Sequence, residues 1–213
     1  MNTITICNMA LAMLGIPNIT SFDEGNNNAK LCKAFFPAIR DRVLRDHTWS
    51  FATKFYELQT LRDASPDPQF PYAAALPADL IRIVRLADGA AYRRAGKQIF
   101  VRNIPAKLIY IARIEDPELF DETFCEALQY AIAAEIGMAN TRDAQLINLF
   151  RQEYATRLAI ARSIDSAENQ HVYQSARRSD WLAARRGASI RHPRCIGKTE
   201  WVEGTEGKQQ PAQ

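Results

Sequence analysis

Two hydrophobic rhythms divide this chain, and their order constrains the fold more than any single residue does. Near the front, Ile4, Cys7, Leu11 and Leu14 recur at steps of three and four, the spacing that gathers side chains on one face of an α-helix. Ala29, Cys32, Phe36, Ile39 and Val43 repeat the pattern. So do Phe120, Phe124, Ala127, Ala131, Ala134 and Met138, and then Leu146, Phe150, Tyr154, Leu158 and Ala161. Between Leu80 and Ile114 the apolar runs shorten to strands. Helices on both sides of a set of short strands predict an α+β fold, mainly α. The expected parts are a helical bundle from residues 1–62 and 115–169, a small antiparallel β insertion at 63–114, and an extended basic C-terminal arm at 170–213. With 213 residues, 47% of them hydrophobic, the chain can bury a real core as one domain with an appendage or two small domains sharing a core.

Local signals mark the boundaries. Gly15 is placed to stop the first helix in a left-handed turn, and Pro17 prevents its continuation. Ser21 to Asn28 reads as a polar turn rather than a Ca²⁺ loop, because Asp23-Glu24-Gly25-Asn26 lacks the alternating oxygen ligands and terminal Glu. In the next helix Arg40, Asp41, Arg42 and Arg45 point away from the apolar stripe, and Pro37 is expected to kink it or begin a second one. Trp49, Phe51, Phe55 and Tyr56 form an aromatic cluster expected to pack into the core, since their neighbours do not make the basic groove of a base-stacking platform.

The run Ile81 to Leu86 leads into Asp88-Gly89, a hairpin signal. Further strands around Tyr92, Gln98–Arg102 and Leu108–Ile114 then predict an antiparallel meander, because parallel strands would need long crossovers. Asp116 as cap, Pro117 at the first helical position and Glu118 near the positive end restart the helix, and Asn140 to Asp143 break and recap it. Beyond about Asn169 the periodicity fades, and Gly187, Pro193, Gly197, Gly204 and Gly207 argue for an extended arm.

Charge is concentrated in that arm. The net charge is only +3, yet Ser175 to Arg194 carries Arg177, Arg178, Arg185, Arg186, Arg191 and Arg194 against the single acid Asp180. The remainder is close to neutral. Such a concentration points to an acidic surface or nucleic acid as partner, rather than to a merely solvated tail. Four widely spaced cysteines, with no Cys-x-x-Cys, are expected as buried free thiols rather than disulfides or a zinc site. No apolar run reaches membrane-spanning length, and the first residues lack the basic-then-apolar layout of a secretion signal, so the chain is expected to stay in the cytoplasm where it is made.

Catalytic patterns are missing from the sequence. There is no Gly-x-Ser-x-Gly elbow, phosphate-binding Gly-rich loop, His-Glu-x-x-His or dinucleotide fingerprint. His47, His171 and His192 lie far apart, and His47 abuts the aromatic cluster, where packing or capping explains it. The acidic pairs Asp116/Glu118 and Asp121/Glu122 sit at helix starts, where the dipole explains them.

Several segments, taken in order, resemble one known family. Leu14-Gly15-Ile16-Pro17-Asn18-Ile19-Thr20-Ser21, running on to Arg40-Asp41-Arg42-Val43-Leu44-Arg45-Asp46-His47-Thr48-Trp49-Ser50-Phe51-Ala52, is similar to the opening of the bacteriophage tail tubular protein A family, ring-forming adaptors that join a phage portal to its tail. Tyr72 and Leu76-Pro77-Ala78-Asp79-Leu80-Ile81-Arg82-Ile83 resemble its Leu-Pro-x-Asp entry into the β region. Tyr110-Ile111-Ala112-Arg113, Asp116-Pro117 and Phe120 to Phe124 resemble its return to helix, and Ser179-Asp180-Trp181-Leu182-Ala183-Ala184-Arg185 resembles its Ser-x-Trp-Leu-x-x-Arg ending. The likeness runs from Ile4 to Arg186.

The resemblance implies a structural virion protein of the head–tail neck, not an enzyme, with no cofactor, metal or membrane contact. It implies a ring, of twelve copies, beneath the portal protein with a nozzle or other tail protein below, and double-stranded DNA passing through the lumen. In that setting the arm is expected to dock the portal through Arg177, Arg178, Trp181, Leu182, Arg185, Arg186, Arg191, Arg194 and Trp201, since aromatic and arginine residues are the usual interface anchors. A near-neutral body suits a lumen through which DNA must slide. The competing expectations are a virion-associated hydrolase of cell-wall glycan, which needs two carboxylates facing across a cleft, and an independent DNA-binding protein.

Overall fold

The computed structural model describes residues 1–61, 65–140 and 143–169. It is α+β. Among the described residues the order is α1 (Thr3–Met13), α2 (Asn27–Asp46), β1 (Thr53–Glu57), β2 (Tyr72–Ala75), β3 (Leu80–Leu86), β4 (Tyr92–Ala95), β5 (Gln98–Val101), β6 (Lys107–Ala112), a 3₁₀ turn (Pro117–Leu119), α3 (Glu122–Asn140) and α4 (Ala144–Asn169). The segment assigned to the basic arm lies outside these residues.

The helix ends form as their sequences dictate. The side chain of Asn2 caps α1 by accepting from the Thr5 amide. At the other end Gly15 adopts φ +68°, and the amides of Gly15 and Ile16 close back onto Ala12 and Leu11, each at 3.0 Å. In the polar turn that follows, the Glu24 carboxylate collects hydrogen bonds from Thr20, Ser21 and Asn26, and Asn26 caps α2 through the Ala29 amide. Bonds to Thr20 above all hold the Glu24 carboxyl below its ordinary range.

α2 runs unbroken through Pro37, so no second helix begins there. Pro37 faces solvent, where water can satisfy the carbonyl left without its amide, while Phe36 and Ile39 are buried beside it. Arg40 does not point outward as expected: it is 7% exposed and paired with Asp41 at 2.9 Å.

α3 is the central helix, buried around most of its circumference from Phe124 to Gly137, and α1, α2 and α4 pack on it. Gly137 leaves room for the end of α1, since a Cβ there would sit 3.2 Å from Leu14 Cδ2. Helix does not restart at Pro117. Asp116 caps a single 3₁₀ turn, and Asp121 caps α3 by accepting from the Thr123 amide at 2.8 Å. Asp143 recaps α4 as its sequence indicated, and Met138 is 49% exposed rather than on the packed side.

The β region differs most from expectation. It is not a meander but two three-stranded antiparallel sheets, ordered β1-β6-β3 and β2-β5-β4. Asp88-Gly89 makes its turn, with Gly89 at φ +72°, but carries the chain from one sheet to the other, because β3 pairs with β6. The true hairpin is β4–β5, turning at Gly96 (φ +58°). The strands also begin earlier than expected: β1 lies in the aromatic segment, within residues first assigned to the bundle. Of that cluster only Trp49 is fully buried, and Phe55, 72% exposed on β1, does not pack into the core.

Candidate junction and docking surfaces

Four of the segments that carry the family resemblance meet in space. Thr48, just after α2, accepts a hydrogen bond from Arg82 of β3 at 2.7 Å. Asp79, entering β3, accepts from the Tyr110 hydroxyl of β6 and from Lys54 of β1, both at 3.0 Å. Arg113, leaving β6, donates from its backbone to the Asp79 carbonyl at 2.6 Å and from its side chain to Asp41 of α2 at 2.8 Å. Trp49 has no exposed surface. Its indole donates to the Val43 carbonyl at 3.0 Å, and its ring meets Phe124 edge-on with centroids 5.1 Å apart. Phe51 and Phe120 complete the stack around Phe124. This junction fixes the β1-β6-β3 sheet to α2 and α3 through residues up to 75 positions apart, Trp49 and Phe124 being the farthest. Burial pushes the Asp79 carboxyl up, but the bonds from Lys54 and Tyr110 outweigh it and hold the group below its ordinary range. Burial and the Asp79 charge raise the Tyr110 hydroxyl in return.

A second network ties the end of α4 to the turn between α2 and β1. Asp165 accepts from the Ser50 amide at 2.9 Å and hydroxyl at 2.6 Å, and its other oxygen meets His47 Nε2 at 3.0 Å. Asn169 donates to Ser50 Oγ, Arg162 donates to the Asp46 carbonyl at 2.9 Å, and the Tyr154 hydroxyl donates to the Asp46 carboxylate at 2.8 Å. The described chain therefore ends beside the α2–β1 turn. Ser, His and Asp are all present, but this is not a nucleophilic triad, because Ser50 Oγ donates to the carboxylate and not to the imidazole.

Of the residues predicted to dock the portal, Arg177, Arg178, Trp181, Leu182, Arg185, Arg186, Arg191, Arg194 and Trp201 all lie outside the described residues. Two surfaces that the sequence did not indicate stand out within them. Met1, Met9, Glu122, Thr123, Glu126 and Gln129 line a hollow of about 380 Å³, where the Gln129 amide donates to Met9 Sδ at 3.1 Å. Glu126 is held by Arg157 at 2.7 Å. The other surface is the outer edge of β1 with its exposed Phe55. Its signal was the β-favouring Thr, Phe and Tyr of Thr53-Lys54-Phe55-Tyr56-Glu57, whose aromatic content also suggested core.

Among the described residues no group of three or more His, Cys, Asp or Glu side chains is placed to hold a metal ion. Cys7, Cys32 and Cys125 are buried and free. Burial pushes the Cys125 thiol up to about 11, and a hydrogen bond between Cys7 and Cys32, with burial, raises that of Cys7. Also among the described residues, no helix is long and apolar enough to cross a membrane. No known family model matches the chain, and no curated protein matches it.

Proposed function

We propose that this protein is a structural head-to-tail adaptor of a bacteriophage, similar to the tail tubular protein A family. In this reading copies of the chain form a ring, of twelve, beneath the portal, hand over to a nozzle or tail protein below, and surround the exiting double-stranded DNA. The supporting observation is that residues from four of the segments carrying the sequence resemblance meet. Asp41, Thr48, Trp49, Asp79, Arg82, Tyr110, Arg113 and Phe124 come from four separate segments and build one junction.

Charge supports the same reading. The body is near neutral, as suits a wall that DNA slides past, while the arginine-rich segment is left for docking. In this proposal residues 1–62 and 115–169 with the 63–114 insertion form the ring body, and residues 170–213 the docking arm.

Mixing purified protein with the portal of the same phage and imaging by negative stain tests the reading. Rings seated on the portal are expected; no binding at micromolar concentration would overturn it. Trp181→Ala should leave the melting temperature unchanged while weakening portal affinity about thirtyfold per arm, the scale of a lost interface anchor. Unchanged affinity would move docking off the arm.

A further inference from the structure

The outer edge of β1 is chemically unfinished. β1 pairs with β6 in the register Thr53↔Ile111 to Glu57↔Lys107. The flanking bonds, Ala112 N to Ala52 O at 2.8 Å and Leu58 N to Ala106 O at 2.9 Å, show that the even-numbered residues of this strand bond inward. The backbone groups of Thr53, Phe55 and Glu57 therefore point out. Thr53 N–H is already taken by the Ser50 carbonyl at 3.3 Å. Among the described residues that leaves two donors, the amides of Phe55 and Glu57, and the acceptor carbonyls of Thr53, Phe55 and Glu57, around a side chain that is 72% exposed.

The other sheet edges are guarded. β3 is broken by two register shifts, β2 is flanked by the Thr60–Ala74 bridge and the Leu61-to-Ala73 bond, and β4 presents Arg93 and Arg94. β1 carries no bulge and no proline.

We propose that the β1 edge is a self-association surface, occupied by β1 of a second copy in an antiparallel pair centred on Phe55. The groups are self-complementary about a two-fold axis there. Each Phe55 amide meets the partner copy's Phe55 carbonyl, and each Glu57 amide meets a Thr53 carbonyl, so every outward donor on both strands is used. Phe55 faces Phe55 on one side of the ribbon. Lys54 lies opposite Tyr56 and Glu57 opposite Thr53, so no like charges oppose each other. The contact is isologous and closes on itself, which distinguishes it from the head-to-tail contacts of a ring, and it does not depend on the adaptor reading. Two five-residue strands bury less than a stable interface needs, so the pair forms at high protein concentration only.

The test exploits the same geometry. Among the described residues the Phe55 amide has no hydrogen-bond partner, so Phe55→Pro removes an outward donor from each copy without breaking the β1–β6 ladder. Sedimentation equilibrium of the full chain up to about millimolar concentration should show a monomer–dimer equilibrium. Phe55→Pro should weaken it about thirtyfold, the effect of losing two hydrogen bonds per pair, with the circular dichroism melt retained. Phe55→Cys in a Cys195→Ser background should cross-link copy to copy with a short bis-maleimide, because directly opposed residues of a hydrogen-bonded pair have Cα atoms about 5.5 Å apart. A wild type that stays monomeric, a folded Phe55→Pro that associates undiminished, or a Phe55→Cys variant that does not cross-link would each overturn the proposal.

Discussion

Replacing Asp165 by Ala would cut the fastening between the end of α4 and the α2–β1 turn. The carboxylate accepts from the Ser50 amide and hydroxyl at 2.9 and 2.6 Å and meets His47 at 3.0 Å, with only 12% of its side chain exposed. A hydrogen bond to an ionised group contributes about 1.5–3 kcal/mol, and a neutral one about 1. Ser50 is exposed and can turn both its donors to water, so its bonds count at the low end, whereas His47 is mostly covered and cannot. The expected loss is about 2–3 kcal/mol. For a domain of this size that lowers the melting temperature by roughly 4–12 °C.

The loss should also be local. Amide hydrogen exchange should accelerate in the last two turns of α4 and around Ser50, while the α3 core keeps its protection. Asp165→Asn, which keeps one acceptor for Ser50, should cost about half as much. A melting temperature within 2 °C of wild type, or faster exchange spread evenly over the whole body, would refute the fastening argument.

Two further outcomes follow from the junction. Trp49→Ala removes the largest fully buried side chain together with its bond to Val43, and should cost about 3–5 kcal/mol in chemical denaturation; a loss under 1 kcal/mol would mean the aromatic stack is not the hub. The Asp79 carboxyl is held below its ordinary range in the folded state, so the stability it contributes is present above pH 5 and is lost as pH falls through the carboxylate range. Asp79→Asn should flatten the acid side of the stability curve between pH 5 and 3, and an unchanged slope would remove Asp79 from the linkage.

Much of the helical frame was legible because its signals are local. Asn26, Gly15 and Asp143 act within a few residues of where they stand, and the three-and-four spacing of Cys32, Phe36, Ile39 and Val43 reports one buried face. Strand pairing was not legible, because it is decided by partners far along the chain. Asp88-Gly89 has hairpin chemistry, yet β3 finds β6 more than twenty residues on, and the turn becomes a crossing between sheets. Phe55 was misplaced for a related reason: aromatic content suggests core, but burial depends on which side of an edge strand faces the helices. Asp165 lies at least 115 positions from His47 and Ser50, and no sequence pattern announces that they meet.

The residues that carry the family resemblance are the ones that hold sheet to helices. Thr48 bonds to Arg82, Asp79 to Tyr110 and to the Arg113 backbone, the Arg113 side chain to Asp41, and Trp49 to Val43 and Phe124, so these groups are engaged within the body. A junction of this kind preserves a body shape while leaving its surfaces free to vary. Under the adaptor proposal, partner choice then belongs to what the junction does not engage, the arginine-rich segment and the open edge of β1. The arm follows directly from α4, whose last turns are fastened at Asp165 and Asn169 to the same α2–β1 turn that leads into the junction at Trp49. If the adaptor proposal holds, loosening that fastening should weaken portal capture by the full chain even though every residue after Asn169 is intact. A variant that changes Asp165 alone separates the root of the arm from its chemistry, which Trp181→Ala cannot do.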